Sequence, residues 1–455
     1  MQPQVTDFIE KNKEYFLEEL KKILRIPSVS AQSDKKPELL RCADAEAAKL
    51  KAIGLENVQL LKTKGNPLVY GDWLHAKGKP TFLIYGHYDV QPPDPLDQWK
   101  TPPFEPTVRD GNLYARGAND NKGQHFSHLC ALEAYLKTVG KLPVNIKVLL
   151  EGEEEAGSVG LHDFAHTKNN ILTCDAILVS DTPWLDSDHP ALILSLKGLA
   201  TFEIKLKTAA FDLHSGLFGG MVRNPCQALS WVLAKLKDEN ERILIPGWYD
   251  DVVELSAGDR QEIKDLPFDE QATAKEVGAS ALISEKSYTP LEANGGRPTL
   301  DINGIFGGYQ GEGPKTIIPA EATAKLSMRL VAKQDPAKLE KLFIDYVESL
   351  CPKGCTVEVK SFHAAPALLV DKTNRFVQIV AKSYSEGFGK KVVFKREGAS
   401  IPIMKTLEEV LKVPIIMIGI GLLDDAIHSP NEKMSLSNFY GGIRGAALAY
   451  EALAE

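Results

Sequence analysis

The sequence predicts an α/β protein: a mixed, mostly parallel sheet covered by helices, interrupted by an inserted ferredoxin-like α+β domain. Three observations lead there. Short apolar runs recur along the chain, and a His, Asp or Glu follows the end of each. Amphipathic stretches of helical period lie between those runs, the pattern of parallel strands joined by helices. Between residues 197 and 380 the texture changes to strands that alternate polar and apolar residues, as half-exposed antiparallel strands do. With 455 residues, 44% of them hydrophobic, the chain can bury more than one core. The expected division is a first domain built from 1–196 and 381–455, and an insertion over 197–380.

Composition excludes several classes of partner. The formal charge is −8 and no Lys/Arg block forms a phosphate-binding stripe, so no nucleic acid is expected. Met1 to Leu24 is charged and helix-patterned, without an apolar segment of signal or membrane length, which points to a cytoplasmic chain with no membrane partner. The six cysteines are scattered except for Cys351 and Cys355, and no second pair completes a thiolate zinc site. Structural thiols are expected.

In chain order, Phe8, Ile9, Tyr15, Phe16, Leu20, Ile23 and Leu24 recur at helical spacing before Pro27. Glu38 to Ile53 is a second amphipathic helix closed by Gly54, and 58–61 and 68–70 are short strands. Thr81 to Ile84 is a buried strand leading to His87, and the Pro-rich segment 92–106 is a loop over the sheet end. Leu113 to Gly117 reads as a strand that leads to Asp120, with a helix over Gln124 to Thr138. The strands 145–150, 176–180 and 413–419 deliver the Glu151–Glu155 cluster, Asp181 and, further on, His428. Carboxyl ends of strands in an open α/β sheet are where ligands gather, so these side chains are expected in one crevice.

Within the insertion, 200–207 and 322–330 alternate in the manner of strands, 225–236 is a helix, and Asp335-Pro336 caps a helix with its stripe at Leu339, Leu342, Phe343, Tyr346, Val347 and Leu350. With a strand over 356–360 the order is β-α-β-β-α-β, the split ferredoxin-like sandwich. Residues 247–294 read as helices and loops, and the glycines from 304 to 313 as a loop.

The candidate chemistry starts at Gly86-His87-Tyr88-Asp89, where an imidazole and a carboxylate at i and i+2 lean to the same side of the strand end. Asp89 can then orient a metal-binding His87. His87, Asp120, one Glu of the 151–155 cluster, Asp181 and His428 offer imidazole and carboxylate without thiolate, a set suited to two hydrolytic divalent ions sharing a bridging water. Glu154 and Glu155 are adjacent, so one can bind metal while the other acts as general base. Competing sites are weaker. His162 and His166 stand one helical turn apart but enclose Asp163 rather than a basic Glu, and His125 and His128 read as ordinary helix residues. Neither a phosphate-binding Gly-x-x-x-x-Gly-Lys-Ser/Thr loop nor a Gly-x-Ser-x-Gly elbow occurs.

At Gly86-His-Tyr-Asp-Val-Gln-Pro92, Arg116-Gly-Ala-Asn-Asp-Asn-Lys-Gly123, Glu151-Gly-Glu-Glu-Glu-Ala-Gly-Ser158, Asp212-Leu-His-Ser-Gly216 and Arg396-Glu-Gly-Ala-Ser-Ile-Pro402 the chain resembles the dinuclear zinc dipeptidases related to carnosine dipeptidase, within the aminoacylase and succinyl-diaminopimelate desuccinylase superfamily. The resemblance spans nearly the whole chain. It implies a catalytic domain with an inserted lid and dimerisation domain. Two divalent ions, zinc with manganese or cobalt as alternatives, would be held by His87 with Asp181 and by Glu155 with His428, and Asp120 would bridge them. It implies further that Asp89 orients His87, that Glu154 is the general base acting with a metal-bridging hydroxide, and that a non-proline cis peptide follows Asp120. His214 and Thr316 would come from the partner of a homodimer, whereas Arg329, Ser400 and the backbone at Gly398 would hold the free carboxylate of a small peptide substrate. A deacylase or carbamoylase acting on N-substituted amino acids is the alternative activity. One departure stands out: relatives commonly carry Arg-Gly-Ser/Thr-x-Asp, and here Ala118 and Asn119 precede Asp120.

Overall fold

In the computed structural model, which describes residues 1–455 and the side chains at all positions but 169 and 276, four apolar strands run parallel at the centre of one sheet. They are Asn145–Glu151, Thr81–His87, Ala176–Val179 and Ile415–Ile418, in that spatial order. Thr81–His87 is buried along almost its whole length, which is why it reads as an unbroken apolar run rather than an alternation. Leu68–Trp73 and then Glu56–Leu61 extend the sheet antiparallel on one side, and Ala191–Leu196 pairs antiparallel with Ile415–Ile418 on the other. The sheet is therefore mixed with a parallel centre. Because His87 pairs with Glu151 and Tyr85 with Val179, these strands release their chains at the same edge.

The chain divides into two compact units, Met1–Leu194 with Val370–Lys395 and Ile403–Glu455, and Ser195–Leu369 with Arg396–Pro402. In the first, the helix Lys122–Thr138 is buried from Lys122 through Tyr135, so it carries no amphipathic stripe. It packs on Leu436–Ala452, which in turn packs on Arg375–Phe388. Those last two helices touch backbone to backbone: a Cβ at Gly387 would stand 2.4 Å from Gly445 N, so only glycine permits the approach. The N-terminal helix expected as one piece is two, Pro3–Lys11 and Lys13–Leu24. Asn12 divides them, its side-chain amide donating to Phe8 O at 2.8 Å in competition with the backbone ladder. The second helix ends on Lys122, whose buried Nζ donates to Ile23 O and Ile26 O at 3.3 and 2.8 Å.

Two expectations need correction. The strand before Asp120 does not join the main sheet: Asn112–Tyr114 lies in a separate three-stranded sheet with Thr107–Arg109 and Lys433–Ser435. The glycines from 304 onward do not begin a loop. Thr299–Gly307 is one strand, with a register shift between Ile302 and Gly304 where a residue without a side chain is tolerated.

The second unit runs Gly198–Lys207, Pro225–Leu233, Thr299–Gly307, Glu321–Leu330, Pro336–Ser349 and Thr356–Ala365, a β-α-β-β-α-β order. Its four-stranded antiparallel sheet is arranged Thr299–Gly307, Glu321–Leu330, Gly198–Lys207, Thr356–Ala365. Phe202, Ile204 and Leu206 point into a core shared with Leu229, Val232, Leu339 and Phe343, whereas Glu203 and Lys205 between them stay half-exposed. Phe202 and Phe343 stack with ring centroids 4.3 Å apart. Asp335 caps its helix by accepting Ala337 N–H at 3.0 Å. Residues 247–294 contain the helices Ala257–Lys264 and Glu270–Glu276, and Pro290–Gly296 begins there. Among the described residues no helix is long and apolar enough to cross a membrane.

Candidate active site

Asp120 reaches the strand edge from a turn rather than a strand, and a distant carboxylate builds that turn. Glu432, fully buried, accepts the backbone N–H groups of Gly117 at 2.9 Å, Asn119 at 2.9 Å and Asp120 at 3.0 Å. It also pairs with buried Arg116 at 2.7 Å, and Arg116 Nη2 donates to Pro92 O. The peptide Asp120–Asn121 that follows is cis, as expected from the resemblance. The helix Lys122–Thr138 begins immediately afterwards, so the carboxylate sits where turn becomes helix.

Around Asp120 the other ligand candidates gather in two groups. His87, Asp120 and Asp181 bring one donor atom each within 4.8 Å of one another, and so do Asp120, Glu155 and His428. Asp120 belongs to both. Its Oδ1 faces His87 Nε2 at 3.1 Å and its Oδ2 faces His428 Nε2 at 3.0 Å. Asp181 Oδ2 lies 3.7 Å from His87 Nε2, and Glu155 Oε2 lies 3.3 Å from His428 Nε2. His428 enters from a loop with left-handed backbone, φ +59°.

Such a crowd of carboxylates settles its charge with protons when no cation is present. Burial pushes Asp181 up to about 7. Burial would also raise Asp120, but hydrogen bonds from His428 and His87 outweigh it and hold that carboxyl below the usual range. His428 is raised to about 10, by its hydrogen bond to Asp120 first and to Glu155 second. Burial opposes charge on His87, yet Asp120 and Asp89 hold its imidazole well above the ordinary value. Divalent ions would displace these protons. The site fits such ions for a second reason: Glu155 Oε1 is buried without a hydrogen-bond partner among the described residues, and a cation is what such an acceptor lacks.

Asp89 ties the two halves of this site together. His87 Nδ1 is 3.1 Å from the Asp89 backbone oxygen and 3.4 Å from its carboxylate. The same carboxylate accepts Glu154 N–H at 3.2 Å on Oδ1 and Glu155 N–H at 3.1 Å on Oδ2. One buried acid thus sets both the imidazole and the start of the Glu pair. Gln91 donates to Glu155 Oε2 at 2.7 Å. Burial raises Glu154 well above the usual carboxylate range, with His87 opposing and Asp181, Glu155 and Asp120 adding to it.

The remaining sequence-predicted residues lie in the second unit, in two places. Leu213–His214 pairs with Ile317–Ile318, and Ser215 N–H donates to Thr316 O at 3.1 Å, so His214 and Thr316 are neighbours. Arg329 Nη1 donates to Ser400 Oγ at 2.8 Å, and Ser400 donates to Lys197 O. Gly398 N–H donates to Glu397 Oε1 at 3.0 Å. Arg329 lies eight residues beyond Glu321 along an unbroken strand, a rise of roughly 26 Å. His214 and Thr316 meet the chain just before that strand starts, so one copy does not bring them to Arg329.

Sequence reasoning overlooked several residues here. Glu432 carries no motif signal of its own; Asn121 stands inside a quoted motif without an assigned role. His125 and His128, read as ordinary helix residues, are fully enclosed: His128 bonds Tyr450 Oη at 2.8 Å and Ser180 Oγ at 2.9 Å. His162 bonds Thr406 Oγ1 at 2.8 Å, and neither it nor His166 belongs to a metal-competent group among the described residues.

Known proteins share this arrangement of chain. The sequence pattern of peptidase family M20/M25/M40 matches residues 83–452. A Cys-Gly metallodipeptidase of Candida albicans is 33% identical over 458 residues, covering 96% of this chain and 94% of its own length. The crystal structure of human carnosine dipeptidase 1 superposes with a TM-score of 0.81 at 30% identity, covering 99% of this chain and 98% of that one. A metallo-carboxypeptidase from Sulfolobus solfataricus superposes with a TM-score of 0.85 at 32% identity, covering 96% and 99%.

Proposed function

The chain belongs to peptidase family M20/M25/M40, and from that membership we propose that it is a two-metal dipeptidase cleaving short peptides with a free C-terminal carboxylate. A single observation carries the reading: Asp120 offers one carboxylate oxygen to each of two imidazole-containing groups, the geometry of a shared bridging ligand. His87 and Asp181 would hold one ion, Glu155 and His428 the other. Two divalent ions there, zinc by preference, would polarise the scissile carbonyl and bring the pKa of a bound water toward ~7. Glu154 takes a proton from the attacking water and gives it to the departing amine nitrogen. Its place beside the ligand carboxylates suits that task, since a carboxylate positioned there can take the proton and deliver it to the nitrogen.

The second unit supports the substrate assignment. Arg329 has a planar fork able to grip both oxygens of a carboxylate, with the Ser400 hydroxyl beside it and the Gly398 backbone in the same matched motif. His214 accepts Gly216 N–H on Nδ1 at 3.0 Å, which leaves the proton on Nε2, free to donate to a developing oxyanion. A dipeptide is far shorter than the separation of His214 from Arg329, so we place His214 and Thr316 in the site of a partner within a homodimer. The edge strand Thr299–Gly307, with Ile305 and Phe306 exposed, supports pairing through this unit.

Two measurements check these assignments. Chelated protein is expected to lose dipeptide hydrolysis and regain it with zinc, and in a panel of dipeptides, amidated dipeptides and N-acyl amino acids the free dipeptides turn over fastest. Preference for the N-acyl compounds would replace the dipeptidase reading with the deacylase one. Mixing inactive His214→Ala and Glu154→Gln proteins is expected to restore activity, because a mixed dimer contains one intact site. No restoration after subunit exchange would place His214 in its own chain's site.

A further inference from the structure

Asn121 has every hydrogen-bonding position of its amide in use. Nδ2 donates to Ser180 O and to Asp181 Oδ1, each at 2.6 Å. Oδ1 accepts from His87 N–H at 3.2 Å and lies 3.2 Å from His125 Nδ1. Turning the amide over would set its NH₂ against the His87 N–H, donor against donor, so the orientation is determined. An oxygen acceptor in that place requires a proton on His125 Nδ1, and the contact of Nε2 with the Glu46 carboxyl then needs a second proton shared between them. On the far side of the ring, His125 Nε2 meets Glu46 Oε1 at 3.2 Å. Glu46, Asn121 and His125 are all completely buried. Strand and helix approach closely here: a Cβ at Gly86 would stand 2.5 Å from His125 Cβ and 2.9 Å from Asn121 Oδ1.

Among the described residues neither Glu46 nor His125 belongs to a metal-competent group, yet the chain of contacts ends on one. We propose that Glu46 and His125 are positioning residues for the ion held by His87 and Asp181. Glu46 keeps the imidazole in the orientation that presents Nδ1–H, the imidazole keeps the Asn121 amide in place, and the amide occupies Asp181 Oδ1. Asp181 Oδ2, the oxygen 3.7 Å from His87 Nε2, is thereby turned toward the ion. The same amide oxygen holds the His87 backbone. Glu155 of the other group is held through Asp89 and Gln91 rather than through this amide, so the weakening is expected at the ion of His87 and Asp181.

The inference rests on the two-ion reading, and one titration separates the two. Full-length protein freed of metal is titrated with Zn²⁺ in competition with a chromophoric chelator. Wild-type protein is expected to take up two equivalents; fewer would overturn the two-ion reading itself. His125→Ala is expected to bind one equivalent as wild type does and the other about 10–100-fold more weakly, with hydrolysis recovering in excess zinc. A general loss of packing would not be repaired by zinc. Glu46→Gln retains both affinities, because its amide can donate to Nε2 and preserve the Nδ1 proton, whereas Glu46→Leu reproduces His125→Ala. Should His125→Ala fail to fold, the Glu46 pair decides. Folded His125→Ala or Glu46→Leu protein with both wild-type affinities, or with both weakened equally, overturns the proposal.

Discussion

Glu154→Gln is expected to lower kcat for a dipeptide by about 10²–10⁴-fold while both ions stay bound. The substitution removes an acid beside the two candidate groups that belongs to neither of them. His87, Asp120, Glu155, Asp181 and His428 are committed to the two groups around Asp120, and Asp89 is occupied by two backbone N–H groups. Glutamine keeps the size of the side chain and leaves the Glu154 N–H to Asp89 bond untouched, so the ligands should not shift. Metal content and KM measured beside kcat distinguish the cases. A fall in kcat with two zinc ions per chain assigns the base. Turnover near that of wild type would move the proton-transfer role to another residue, and loss of one zinc would make Glu154 a ligand.

Glu432→Leu should cost about 3–5 kcal/mol of stability, because it leaves a buried Arg116 charge without its partner. Three backbone donors at Gly117, Asn119 and Asp120 lose their acceptor in the same step. Those donors belong to the turn that presents Asp120, so the damage is expected to reach both ions, though Glu432 itself is a member of neither candidate group. Urea unfolding of metal-free protein reads the stability term without contribution from bound zinc. A change below ~1 kcal/mol, the range of exposed ion pairs, would mean that water or another side chain replaces the carboxylate and that the turn holds without it.

These two residues show what could be read from the chain and what could not. The place of Glu154 near the candidate ligands was legible because it follows a buried strand, and a strand in a parallel sheet releases its chain at a shared edge. The same reasoning found His87 and Asp181, since the unbroken apolar runs before them have one favourable place to go. The alternating strands of the insertion and the capped helix after Asp335 were legible for a similar reason: their period alone says which face is buried. Asp120 was found, although the strand assigned to it belongs to another sheet.

By itself, then, the sequence determined the two folding patterns and the donors of the candidate metal site, because local periodicity and strand ends act over a few residues. Tertiary structure alone decided how those donors are held. Glu432 meets the Asp120 turn across more than 300 residues, and Glu46 meets His125 across 79. A carboxylate or imidazole destined for the interior has the same composition as one destined for solvent. Only the packing that removes water from it reveals which partner it must have.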